Sequence, residues 1–163
     1  MALTRFKSLL AGTVGSDEGG EAVINQFSDI HVAWLKAADD SMAADATADT
    51  IIWTNPYDFN IEVVSARYVT TANALTAHDT NFATLSVKTD NAAAGATATV
   101  LALATTTTDS GSFTAKIAKS FTTYTPANKV LLPGANLFVA ISKAAAGVVV
   151  RAGWLQVRLR RVG

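Results

Sequence analysis

Residues 59–71 read FNIEVVSARYVTT, and the order of apolar and polar positions in this run decides the fold. Phe59, Ile61 and Val63 share one face of an extended chain, and then Val64, Ala66 and Tyr68 take the other. Side chains of a strand alternate with a period of two, so this is a strand that changes phase midway. Residues 147–161, GVVVRAGWLQVRLRR, do the same: Val148, Val150 and Ala152 give way to Leu155, Val157 and Leu159. One extra residue beside Gly153 restores a continuous buried face, which is the action of a β-bulge. Gln156, Arg158 and Arg160 then all point outward, as the polar face of a strand whose other face is core.

Working outward, the same texture runs from Thr50 onward. DTIIWTNP, NFATLSVKTD, ATATVLALATT, SFTAKIAKSFT, NKVLLP and NLFVAISK are short, rich in Val, Ile, Thr and aromatics, and separated by turn residues. With the two runs above they make about eight strands, the spacing of an antiparallel sandwich or barrel. NFATLSVK puts Ala83, Leu85 and Val87 on one face and Phe82, Thr84, Ser86 and Lys88 on the other. TVLALA is apolar on both faces, as a central covered strand is. Pro133-Gly134 marks a turn.

The first fifty residues read differently. Residues 1–20 end in the Gly/Ser/Asp-rich AGTVGSDEGG and read as a flexible arm. In EAVINQFSDIHVAWLKAADD, Val23, Phe27, Ile30 and Trp34 step by four, three and four, which predicts a helix over 21–38, with an extended arm as the rival. SMAADATAD is a polar linker. The expected organisation is an arm over 1–49 and a β-domain over 50–163.

Length and composition bound the function. A chain of 163 residues, 50% hydrophobic and 16% charged, supports one domain with a proper core and is not disordered. It has no cysteine, hence no disulfide and no thiolate zinc site. No apolar run reaches the roughly 18 residues of a membrane helix, and MALTRFKSLLAG carries charge where a secretory signal is apolar. Synthesis in the cytosol without a cleaved signal is the expectation. The net charge is zero but polarised: residues 1–50 hold three bases against eight acids, and residues 143–163 hold five bases and no acid. Such polarity joins two ends of one subunit, or one subunit to the next.

Sites for chemistry are sparse. His31 and His78 lie far apart with no HxH or HxxxH spacing, and AHDTN reads as a turn whose Asp and Asn side chains bond nearby amides. Asp39, Asp40, Asp45 and Asp49 fit no calcium loop and belong to a solvated linker. No nucleophile elbow, dinucleotide fingerprint or phosphate loop occurs, so no catalytic, cofactor or metal residue is assigned. The neutral total argues against nucleic acid as the partner of the arginines and leaves an acidic protein surface or plain solvent. Trp53, Trp154 and Tyr68 fit core or interface positions better than a sugar platform.

The runs ARYVTTANALTAHDTNFATLSVKTDNAAAG and VLLPGANLFVAISKAAAGVVVRAGWLQVRLRRV resemble the head decoration, or cement, proteins of tailed double-stranded DNA bacteriophages. LTAHDTNFATLSV and LPGANLFVAISKAAAGVVV carry the likeness, which covers residues 50–163, with Ala135 where an Asp is common. The resemblance implies an all-β, antiparallel, jelly-roll-like β-sandwich seated on the outer capsid lattice, often as a trimer. It implies the major capsid protein as partner, no cofactor, no nucleic acid and no membrane. Arg5, Phe6, Lys7, Leu9 and Leu10 of the arm, Phe27 and Trp34, and Arg151, Arg158, Arg160 and Arg161 are the residues expected at capsid or subunit interfaces. The alternative is a carbohydrate- or receptor-binding sandwich of a fibre or appendage, using Trp53, Phe82 or Tyr124 as stacking platforms.

Overall fold

The computed structural model describes residues 14–16, 22–24, 30–36, 47–71, 77–91, 96–104, 112–144, 150 and 152–162. The chain divides into two compact units, Met1–Ile30 and His31–Gly163. The first contains an antiparallel hairpin of β1 (Val14–Ser16) and β2 (Ala22–Ile24). The body is built from β3 (Ile30–Lys36), β4 (Thr47–Thr54), β5 (Ile61–Thr70), β6 (Ala83–Thr89) and β7 (Ala98–Ala104), followed by β8 (Ala118–Ser120), β9 (Thr123–Tyr124), β10 (Val130–Leu131), β11 (Asn136–Lys143) and β12 (Gly153–Arg161). A 3-10 turn, Pro126–Asn128, precedes β10.

Two five-stranded sheets form the sandwich: β10-β5-β12-β3 with β8 also on β5, and β4-β11-β6-β7-β9. The order follows from one long hairpin rolled up. Its innermost pair is β6–β7, then β5 with β8 and β10, then β4–β11, and outermost β3–β12. Rolling places β5 beside β12 and β6 beside β11, which is the winding of a jelly roll. β8 and β10 share one position of the roll, both on β5, while the two residues of β9 between them cross to β7.

The core lies between the sheets. Ile61, Val63 and Tyr68 of β5 and Leu155, Val157 and Leu159 of β12 are fully buried from one side; Leu85, Val87, Leu137 and Val139 meet them from the other. Each such aliphatic side chain contributes roughly 1.5–3 kcal/mol by leaving water. Three register slips keep these faces inward. Val64 is the unpaired residue between Arg158 and Leu159 of β12, and Ile52 and Val100 play the same part against β11 and β6. The slip at Val64 is the phase change that FNIEVVSARYV shows in sequence. At Val100 the slip accounts for TVLALA: Val100 and Leu101 are both buried although β7 is flanked by β6 and only two residues of β9.

Gly153 is different. Among the described residues no bulge lies beside it; the residue before it is a bend, and β12 starts there. A Cβ on Gly153 would sit 2.7 Å from Cζ and Oη of Tyr68 and collide with the Val69 carbonyl, so glycine is required by close approach of β5. Gly134, at φ +78°, is the third residue of a turn closed by Ala135 N–H donating to Leu132 O over 3.0 Å, with Pro133 fixing the second.

The helix expected over 21–38 does not form at the described residues: 22–24 and 30–36 are strands. The four-three-four spacing is there, but Ile30, His31, Val32 and Ala33 also alternate, with Val32 buried between two exposed neighbours. A strand edge offered by β12 satisfies the backbone of 30–36 and decides between the two periods. The compact body runs over His31–Gly163.

Candidate docking face

The outward side chains of β5, β8 and β12 are set by register. Gln156 of β12 pairs with Arg67 of β5, Arg67 pairs with Ser120 of β8, and Arg158 pairs with Ser65. Together with His31 of β3 these residues line an open concavity of about 360 Å³ on the outer face of the sheet, floored by Ala66, Phe121 and Val157. Nε of Arg67 donates to Oε1 of Gln156 over 2.6 Å, which fixes the plane of the guanidinium. Among the described lining residues there is no Asp or Glu. Trp154, 43% exposed, stands on the same face of β12 two residues before Gln156.

The next row belongs to a buried carboxylate. Glu62, 6% exposed, is the cross-strand partner of Arg160. Nε of Arg160 donates to its Oε1 over 2.8 Å, Nη2 reaches the same oxygen, and Nζ of Lys129 bonds Oε2 over 2.8 Å. The Lys129 and then the Arg160 hydrogen bonds hold the Glu62 carboxyl below its ordinary value, against the upward push of burial. Lys129 is raised in return. Burial also pushes up the Tyr68 hydroxyl inside the core.

Beyond it, Arg161 lies 4.4 Å over the ring of Phe59. Phe59 stacks on Tyr57 at 4.8 Å, and Tyr57 tilts against Trp53 at 6.5 Å. Asn55 anchors this corner. Buried to 2% exposure, its Nδ2 donates to Phe59 O (3.0 Å), Leu132 O (3.1 Å) and Leu131 O (3.4 Å), while Oδ1 accepts from Tyr57 N–H (3.2 Å).

The described C-terminal arginines, expected at capsid or subunit interfaces, have different surroundings. Arg158 lines the concavity, Arg160 closes on Glu62, and Arg161 caps Phe59. Arg5, Phe6, Lys7, Leu9, Leu10, Phe27 and Arg151 lie outside the described residues, and Trp34 is described only through the backbone of β3. Arg67, Glu62 and Lys129 were not singled out by sequence; the strand holding Arg67 and Glu62 was legible, their partners were not. Tyr124 is 41% exposed, whereas Trp53 and Phe82 are half-buried. In the AHDTN turn Nδ1 of His78 accepts Thr80 N–H (3.2 Å) and Asn81 N–H (3.0 Å). Asp49 bonds Lys88 at 3.1 Å and not an arginine of the C-terminal run. Among the described residues no three of His, Asp and Glu converge.

Compared with protein-family models, curated proteins and solved structures, the chain has no match.

Proposed function

We propose that this chain is a structural protein of a virus particle: a decoration protein that docks on the outer surface of a tailed-phage capsid, against the major capsid protein, and stabilises the head. The observation that carries the reading is the jelly-roll winding of the body. That is the fold which the resemblance of residues 50–163 to head decoration proteins implies, whereas strand spacing alone left sandwich and barrel open. Folds are shared among functions, so the cationic outer face of the sheet is the second support: it offers a place to dock. A trimer suits the role, because three feet on a symmetric lattice multiply a modest contact.

The test is to add purified protein to mature heads lacking it and to heat loaded and bare heads side by side. Loaded heads are expected to bind it in stoichiometric amount and to open at higher temperature. Equal opening temperatures refute stabilisation even where binding occurs.

A second reading, a carbohydrate- or receptor-binding module of a fibre or appendage, is favoured by the Trp53–Tyr57–Phe59 series, since partly exposed rings are what a sugar face stacks on. A glycan array probed with wild type and Tyr57→Ala separates it from the first: binding lost in the variant supports this reading, and no binding by the wild type removes it.

A further inference from the structure

We propose that residues 78–81 form an acid-sensitive latch at the entrance to β6: the turn stays closed while the imidazole of His78 is neutral and opens when the ring takes up a proton. The latch is independent of any docking partner.

One lone pair holds it. Nδ1 of His78 accepts Thr80 N–H over 3.2 Å and Asn81 N–H over 3.0 Å, and Thr80 Oγ1 lies 3.3 Å from the same nitrogen. A backbone N–H can only donate, so Nδ1 must be bare and the neutral ring carries its hydrogen on Nε2. Among the described residues no backbone carbonyl takes the Thr80 or Asn81 amide. The imidazole is their acceptor, in the part that an Asp or Asn side chain plays in other turns.

Protonation turns Nδ1 into a donor. A third N–H then faces the first two at hydrogen-bond distance, and the arrangement cannot persist. The ring must swing out, or shift to donate to the Thr80 hydroxyl, which can accept. Either way both amides pass to water. The proton and the turn compete for the same lone pair, and histidine is the side chain that meets this choice between pH 5 and 8. His78, Asp79 and Thr80 are exposed, so the ring has room to leave.

The surroundings keep the event local. Ahead of the turn Ala77 N–H donates to Ser112 Oγ (3.0 Å), and behind it Phe82 O accepts Ala144 N–H (2.9 Å). Neither bond involves the imidazole. The charged groups around the turn are Asp79 within it, Lys143 of β11, which is the register partner of Ala83, and Lys116 on the segment that carries Ser112. β6 itself holds no charge before Lys88. Asp79 and Lys143 each have an interaction of their own. The acid form thus presents a cationic ring and two bare amide donors where the neutral form presents a closed turn.

The experiment is amide hydrogen exchange followed by NMR at about pH 7.5 and about pH 5, corrected for intrinsic rates, on wild type, His78→Asn, His78→Ala and His31→Asn. In wild type and His31→Asn, protection of the Thr80 and Asn81 amides is expected to fall roughly fivefold on acidification, the scale of one hydrogen bond, while the Ala144 amide keeps its protection. His78→Asn offers Oδ1 in place of Nδ1 and takes up no proton, so it is expected to protect both amides at either pH. His78→Ala is expected to protect them at neither. Imidazole 15N shifts at the higher pH are expected to show the Nε2–H tautomer. An Nδ1–H tautomer there, or wild-type protection that does not change with pH, overturns the latch. So does an equal fall in His78→Asn, which puts the acid response elsewhere in the chain. Simultaneous loss at Ala144 marks general acid unfolding and overturns it too.

Discussion

Glu62 and Arg160 face each other as partners across β5 and β12, and the carboxylate they share with Lys129 is nearly sealed from water although both cations are not. A buried carboxylate of this kind is costly to leave alone and inexpensive to keep while its partners stay in place. It also ties three strands, β5, β10 and β12, at one end of the sheet, since Lys129 directly precedes β10.

Glu62→Gln keeps the shape and removes the charge. Unfolding in urea at neutral pH is expected to show a loss of about 1–2 kcal/mol, at the lower end for a buried group because Arg160 and Lys129 remain solvated. The pH dependence has a definite sign. The folded carboxyl is held below its ordinary 4.5, so its stabilising contribution is complete above that value and is lost as pH falls through the lower, folded one. The variant is expected to lose less stability than wild type over that acid range. Lys129, raised above 10.5, works the other way: its contribution is complete below 10.5 and is lost as pH climbs through the folded value.

Two glycines separate steric from conformational cost. Gly153→Ala drives a methyl into the Val69 carbonyl and the Tyr68 ring, neither of which can withdraw without moving β5. A loss of about 3 kcal/mol or more is expected. Gly134→Ala meets nothing within 4 Å and suffers only from its positive φ, at a cost of roughly 1–2 kcal/mol. Chemical denaturation of both variants should give that order.

Asn55 is irreplaceable for a reason of polarity. Asn55→Ala strips the donors from three carbonyls and is expected to cost about 1–3 kcal/mol. Asn55→Asp keeps the size but turns an acceptor toward those same carbonyls, so it should be at least as damaging at neutral pH and partly relieved by acid. Melting temperatures of the two variants measured from pH 4 to 7 check this.

The contact of Arg161 with Phe59 is modest and measurable. A double-mutant cycle with Arg161→Gln and Phe59→Leu is expected to return a coupling of roughly 0.5–1 kcal/mol, the size of a partly exposed cation–π pair.

What sequence could and could not reveal follows from which interactions are local. The change of phase at Val63–Val64 is visible because side chains alternate strictly, so one unpaired residue leaves a mark in the apolar pattern. The similar mark at Gly153 has another origin, the entry of the chain into β12 beneath Tyr68, and periodicity cannot tell the two apart. Ile30–Lys36 misled because its apolar residues satisfy two periods at once, and only the neighbouring β12 chooses between them. The outward set Gln156, Arg158 and Arg160 was legible from one strand. The partners Arg67, Ser120 and Glu62 were not, since register brings them together from distant parts of the chain.

The rolled hairpin has a consequence for biosynthesis. β12 lies between β3 and β5, so the earliest and the middle strands of this sheet are neighbours only through the latest one. As the polypeptide emerges from the ribosome, β3 and β5 wait with unpaired edges until residues 153–161 follow, and closure then spans most of the body's length. Nascent chains stalled before Gly153 should remain sensitive to protease, and those released beyond Arg161 should become resistant in a single late step.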